Sequence, residues 1–243
     1  MRSRTSIAAI LLVASFSLLA TADGTTTVGV VGPTPAILFL QLDTLNSAIT
    51  TAGYPRITEV LFTMGGSGLA GRDDGVRFGG MGTSGATISR DGTRSVRLAL
   101  DYYGLLVEKA THSESDLTVV LGAMLGGGSL DLRLIHRVPD TFDDAAGMPY
   151  VASMSKCLYA VEPYVAFETR PSSWLSTRLQ FGLLWALTDP WTFEEAEFAG
   201  PPRTMAGLVA SLTLQFGLPE VDTDEAPDDA AEPAQPDEET DLP

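Results

Sequence analysis

The sequence predicts an all-β protein, an antiparallel up-and-down barrel of about eight strands with one short amphipathic helix near the N-terminus. Three observations carry that expectation. Apolar residues recur at every second position through most of the middle of the chain, the period at which a strand presents one face to each side. Tight turn signals separate these runs, and no continuous apolar run reaches the length of a spanning helix, so any membrane insertion has to be by a closed barrel.

The alternation is plainest over residues 175–187, where Leu175, Thr177, Leu179, Phe181, Leu183, Trp185 and Leu187 oppose Ser176, Arg178, Gln180 and Gly182. Residues 206–216 repeat it, with Ala206, Leu208, Ala210, Leu212, Leu214 and Phe216 opposite Gly207, Ser211, Thr213 and Gln215. Over 95–106, Val96, Leu98, Leu100 and Tyr102 oppose Ser95, Arg97, Ala99 and Asp101. Weaker runs cover about 58–70, 75–90 and 156–169, and Thr25 to Val31 supplies an eighth candidate.

Between Leu117 and Ile135 the apolar parity flips. Leu117, Val119, Leu121 and Leu125 share one face, then Leu130, Leu132 and Leu134 take the other, with the switch at Gly126-Gly127-Gly128. An inserted residue there would form a β-bulge, which glycine suits and which bends a sheet toward closure. Arg72-Asp73-Asp74-Gly75 and Asp91-Gly92 are hairpin signals, and 111–116 and 170–173 are short polar connections. Longer connections near 138–155 and 189–204 give the two ends of the barrel the unequal loops of outer-membrane barrels.

A helix is expected over about 35–52: Thr34 caps it, Pro35 suits its first position, Leu38, Leu42, Leu45 and Ile49 share a face, and Gly53 and Pro55 end it. Core packing is its expected role, with a luminal plug or a lid over the mouth as the alternatives. The glycines between 65 and 85, Gly66, Gly68, Gly80 and Gly82 among them, predict two neighbouring strands with a side-chain-free groove in which this helix packs.

Composition bounds the domains. The 243 residues carry a formal net charge of -16. Residues 1–22 contribute +2, 23–219 contribute -7, and 220–243, with eleven acids and no base, contribute -11. Basic residues ahead of the apolar run Ile7 to Leu19 and an Ala20-Thr21-Ala22 cleavage box predict a signal peptide over 1–22 and an exported chain. The barrel is assigned to 23–219. The Pro- and acid-rich segment 220–243 is expected to be disordered, because it cannot bury enough apolar area to offset its ordering entropy.

Function classes narrow by exclusion. Fifteen basic against 31 acidic residues leave no footprint for nucleic acid, and the single Cys157 allows no intrachain disulfide and no cysteine metal cluster. The G-x-G-x-x-G spacings at Gly66 and Gly80 are followed by strand rather than helix, so no dinucleotide cofactor is implied. No metal-ligand spacing and no G-x-S-x-G nucleophile occurs. His112 and His136 are the only histidines; Ser129 with His136 is the one pairing that suggests acyl-chain chemistry, and along one strand the two are roughly 20 Å apart. The polar alternate face supplies a candidate interior set: Arg97, Asp101, Asp131, Arg133, Arg178 and Gln180. In a membrane these point into a hydrated lumen; in a soluble barrel they point outward and leucines fill the core.

The run from Val161 to Leu187, strand, short turn and strand, followed by Gly207 to Gly217, resembles the closing hairpin and final strand of small outer-membrane-type β-barrel proteins. That resemblance implies membrane lipid as the partner, an envelope location, and a terminal-strand aromatic read by the insertion machinery, matched here by Phe216. It departs from the pattern in the acidic segment after Phe216. The expected role is structural or anchoring, small-ligand binding or a narrow pore, and not enzymatic; the alternatives are a secreted soluble barrel or sandwich binding an apolar ligand and, more remotely, an acyl-chain-modifying barrel enzyme.

Overall fold

The computed structural model describes residues 27–217 except 73–74, 112–116, 137–140, 142, 144–145 and 147–150; the expected signal peptide, the acidic segment and His112 lie outside the described residues. Among the described residues, ten strands and one helix with defined bounds follow in order: β1 Thr27–Leu40, α1 Asp43–Thr51, β2 Val60–Arg72, β3 Val76–Asp91, β4 Arg94–Thr111, β5 Leu117–Ile135, β6 Val151–Ser172, β7 Leu175–Thr188, β8 Trp191–Phe193, β9 Ala196–Phe198 and β10 Thr204–Gly217. Each long strand pairs antiparallel with its neighbour in sequence, β7 pairs with β10, and β1 pairs with both β2 and β10. The chain is a closed eight-stranded antiparallel β-barrel, with β8 and β9 as a small hairpin in the connection between β7 and β10.

The two ends differ as the turn signals indicate. One end, called here the turn end, has the connections 73–75, 112–116 and 173–174, the start of β1 and the end of β10. The loop end has 41–59, 136–150 and 189–203, together with the tight turn at 92–93, where Gly92 takes a positive φ of 53°.

Two expectations are corrected by the strand registers. No bulge interrupts β5 at Gly126-Gly127-Gly128: its pairing runs unbroken with β4 from Ile135↔Ser95 to Val119↔Thr111, and with β6 from Leu117↔Thr169 to Ile135↔Val151. The parity flip has another cause. Even-numbered residues of β5 face inward throughout, so the apolar residues change sides: Leu121 and Leu125 are exposed on the outside near the turn end, and Leu130 and Leu132 are buried inside near the loop end.

The helix is also shorter than its sequence pattern. Residues 35–40 belong to β1, and Leu38 is a buried strand residue facing the lumen. Thr34, rather than capping a helix, has its hydroxyl 3.0 Å from that of Ser67 and 3.1 Å from that of Thr213, on the two neighbouring strands β2 and β10. Pro33 and Pro35 are accommodated because β1 pairs with β2 alone at these positions; its ladder with β10 is interrupted between Val31 and Ala36, where proline has no N–H to donate.

Helix α1 then closes the loop end. Leu42, Leu45 and Ile49 pack into one core with Leu38, Leu61, Val96, Leu98, Leu100, Leu130 and Leu132. Buried Asn46 holds the return segment by accepting from the Ile57 N–H at 2.8 Å and donating to the Ile57 carbonyl at 3.1 Å. Also at the loop end Lys156 donates to the Pro202 carbonyl at 2.6 Å and lies 4.6 Å from the Trp191 ring centroid, and the Trp191 N–H donates to the Pro201 carbonyl at 2.8 Å. These contacts fix the β8–β9 connection to the barrel.

Gly66, Gly68, Gly80 and Gly82 do not pack against α1. They alternate onto the outer face of β2 and β3, while the helix sits at the mouth. A Cβ at Gly82 would meet only the Tyr103 Cβ at 3.6 Å, an ordinary contact. The crowded glycines face inward: a Cβ on Gly126 would overlap the Tyr103 carbonyl oxygen and approach the Gly104 Cα to 2.5 Å.

Candidate functional site

Inside the barrel near the turn end the alternating inner positions of four strands bring charge together. Arg77 on β3 and Glu108 on β4 are direct cross-strand partners, as are Glu168 on β6 and Arg178 on β7. The pairs face each other across the lumen and cross-link. Arg178 donates from Nη1 and Nη2 to both Glu108 oxygens at 3.1 and 2.7 Å, and from Nη1 to Glu168 at 2.8 Å. Arg77 donates to the other Glu168 oxygen at 2.6 Å and lies 3.6 Å from Glu108.

Tyr164, Gln180, Glu162 and Tyr102 extend the network. The Tyr164 hydroxyl donates to Glu108 at 2.8 Å, and Arg178 donates from Nε and Nη2 to the Gln180 oxygen at 3.3 and 3.1 Å. Gln180 in turn donates to Glu162 at 3.2 Å, on whose other oxygen the Tyr102 hydroxyl lies at 3.4 Å. All four charged groups of the quartet are buried, two positive and two negative, so each charge of the quartet has an opposite partner. Lumen glycines make the room: a Cβ on Gly122 would lie 2.5 Å from the Tyr164 ring, and one on Gly182 would lie 2.8 Å from Glu162 Cγ.

The outer face has the opposite character. Outward positions of β1 from Val31 to Phe39, β2 from Phe62 to Ala70, β3 from Val76 to Gly82, β4 from Tyr103 to Val107, β5 from Leu121 to Leu125, β6 from Tyr159 to Phe167, β7 from Leu179 to Trp185 and β10 from Leu208 to Phe216 include no charged side chain. Five to nine residues per strand at about 3.3 Å each, tilted by about 40°, make a band roughly 13–23 Å tall, lowest on β4 and β5 and, on β1, β2, β6 and β10, close to the apolar band of about 25 Å on transmembrane barrels. Aromatic side chains mark both edges. Trp174 stacks on Phe216 at 6.3 Å at the turn end. Toward the loop end Tyr103 and Tyr159 flank Gly127 in register, both exposed beside a position without a side chain.

Beyond that edge the arrangement inverts. The outer face of β4 and β5 carries Asp101, Arg97, Asp131 and Arg133, while the inner face is the leucine core under α1. The structure therefore separates the sequence-derived interior set. Arg178 and Gln180 line the lumen, but Arg97, Asp101, Asp131 and Arg133 point outward, because on β4 and β5 the polar alternate face near the loop end is the outer one. Arg77, Glu108, Glu162, Glu168, Tyr102 and Tyr164 were not in that set. Their signal is present in the sequence as single polar residues between apolar outward ones, as in Val76-Arg77-Phe78 and Val161-Glu162-Pro163, but reading it requires knowing that the apolar neighbours face out. Phe216 lies on the outer face at the end of β10. His136, just past β5, packs edge-on against Tyr54 at 6.5 Å, and Ser129 lies on the same strand on its outer face.

No protein-family model and no curated protein matches the chain. Among solved structures, Neisserial surface protein A is similar at 10% identity and a TM-score of 0.44, over 81% of this chain and 100% of that one. Ail, the attachment invasion locus protein of Yersinia pestis, is similar in two structures over 78% of this chain and 97% of that one. The first, solved in complex with the heparin analogue sucrose octasulfate, has 7% identity and a TM-score of 0.38, and the second 10% and 0.34. The architecture is that of outer-membrane-type barrels: eight strands up and down, unequal ends and an apolar outer face.

Proposed function

We propose that the protein is an envelope barrel, exported and inserted in an outer membrane, that anchors a small closed head at the membrane surface without conducting. The observation that carries this reading is the uncharged belt around all eight strands, combined with a charged lumen. In water such a belt would leave a continuous apolar surface far larger than soluble monomers expose. In lipid it is matched, and the polar lumen is satisfied internally by hydrogen bonds and ion pairs.

Anchoring is favoured over a pore because an eight-stranded barrel is narrow enough for side chains to fill it. Here the quartet occupies the turn-end half and leucines under α1 occupy the loop-end half. No enzymatic role is assigned: Ser129 and His136, the pairing that suggested acyl-chain chemistry, are not on one face of a pocket, since Ser129 points outward and His136 packs on Tyr54.

Fractionation tests the reading. Mature protein should sediment with membranes, resist extraction by salt and carbonate, and dissolve in detergent; recovery in the soluble fraction without detergent would refute it. Reconstituted in a planar bilayer, the protein should show no steady conductance, and a stable open channel would overturn the anchoring role while leaving membrane insertion intact.

A further inference from the structure

The upper edge of the belt holds a lateral groove that neither the lumen nor the anchoring role uses. It has a volume of about 670 Å³ and lies on the outside of β7 and β10, beneath the 189–203 connection and beside the first turn of α1. That volume is within the roughly 300–1,000 Å³ of small-molecule sites. Its lower wall is apolar: Trp185 and Ala206 are direct cross-strand partners on the outer face, and the small Ala206 leaves the heavily exposed Trp185 ring open.

Its upper wall is polar and held in place. The 199–203 segment is tied down where Thr188 Oγ1 and Lys156 donate to the Pro202 carbonyl, each at 2.6 Å, and where the Trp191 N–H donates to the Pro201 carbonyl. Arg203 lines the groove and has no ion pair among the described residues. Asp43, the carboxylate on the same rim, is paired with Arg56 at 3.3 Å. Arg56 is shared with Glu59, so the guanidinium of Arg203 is the cation of the lining that no described carboxylate pairs.

We infer that this groove binds a membrane lipid with an anionic headgroup, its phosphate at Arg203 and an acyl chain along Trp185 and Ala206. The inference rests on the membrane reading above, which sets the groove across the hydrocarbon edge. An apolar wall below and a lone cation above match the two ends of such a lipid, and basic side chains at a membrane surface attract anionic headgroups by about five-fold each.

The full chain, purified in detergent and placed in nanodiscs of equimolar phosphatidylcholine and phosphatidylglycerol, tests it by native mass spectrometry of the lipids retained. Wild type should retain phosphatidylglycerol in preference, Arg203→Gln should lower that preference about five-fold, and Trp185→Ala should lower retention of both lipids. Arg97→Gln, outside the groove, should leave the preference unchanged, and inorganic phosphate should not displace the lipid. An unchanged preference in Arg203→Gln, an equal loss in Arg97→Gln, or displacement by phosphate would overturn the proposal. A chain that fails to enter the discs overturns the membrane reading and the groove with it; entry without lipid preference overturns the groove alone.

Discussion

Replacing Arg178 with Gln removes the centre of the luminal network. Arg178 makes five hydrogen bonds: two to Glu108, one to Glu168 and two to the Gln180 oxygen. In Arg178→Gln the Glu108 and Glu168 carboxylates share only Arg77, which lies 2.6 Å from Glu168 but 3.6 Å from Glu108. Breaking a buried pair by removing one partner costs about 3–5 kcal/mol, because an uncompensated charge stays behind. That is a large part of the roughly 5–15 kcal/mol that holds a typical domain folded. The double variant Arg178→Gln/Glu108→Gln keeps the Arg77–Glu168 pair and restores neutrality, so it should recover about 1–3 kcal/mol of the loss. Urea titration of the refolded barrel in detergent micelles, followed by tryptophan fluorescence and by the mobility of unheated samples on gels, measures each value. If Arg178→Gln shifts stability by less than about 0.5 kcal/mol, as expected for the exposed Arg97→Gln, or if the double variant is as unstable as the sum of the singles, the quartet does not hold the barrel as argued.

Three further outcomes follow from the same geometry. Leu105→Arg puts a charge on the apolar outer face of β4 and, if that face meets lipid as proposed, should cost about 2–4 kcal/mol, read as lost assembly into liposomes, whereas Arg97→Leu beyond the belt should assemble normally. Gly126→Val forces a side chain against the β4 backbone and should cost at least about 1–3 kcal/mol in the same titration, while Gly82→Val on the outer face should be tolerated. Asn46→Leu leaves the Ile57 N–H and carbonyl unpaired, at about 1–3 kcal/mol for each buried group, and should expose segment 41–59 to protease while the barrel keeps its unheated gel mobility.

Much of the barrel was legible because strand periodicity is local. The residues from Leu175 to Leu187 and from Ala206 to Phe216 alternate cleanly, and both segments are strands with that alternation. The boundary between β1 and α1 was not legible, because Leu38, Leu42, Leu45 and Ile49 satisfy helical spacing whichever element Leu38 joins. Cross-strand pairing with β2 decided it, a contact no local window contains. The candidate site was half legible for a related reason. Arg178 and Gln180 were found because β7 keeps a single apolar face along its outward length, whereas β4 and β5 present apolar residues outward near the turn end and inward near the loop end.

By itself, then, the amino-acid sequence determined the secondary structure class, a barrel of about eight strands, the tight turns and the apolar-polar alternation, all properties of neighbours along the chain. Only the tertiary structure decided which face is inside. An apolar side chain occupies the exposed outer wall near the turn end and the leucine core near the loop end, so its identity does not say which way it points. Closure of the eight strands sets that direction, and brings Arg77, Glu108, Glu168 and Arg178 from four strands into one lumen.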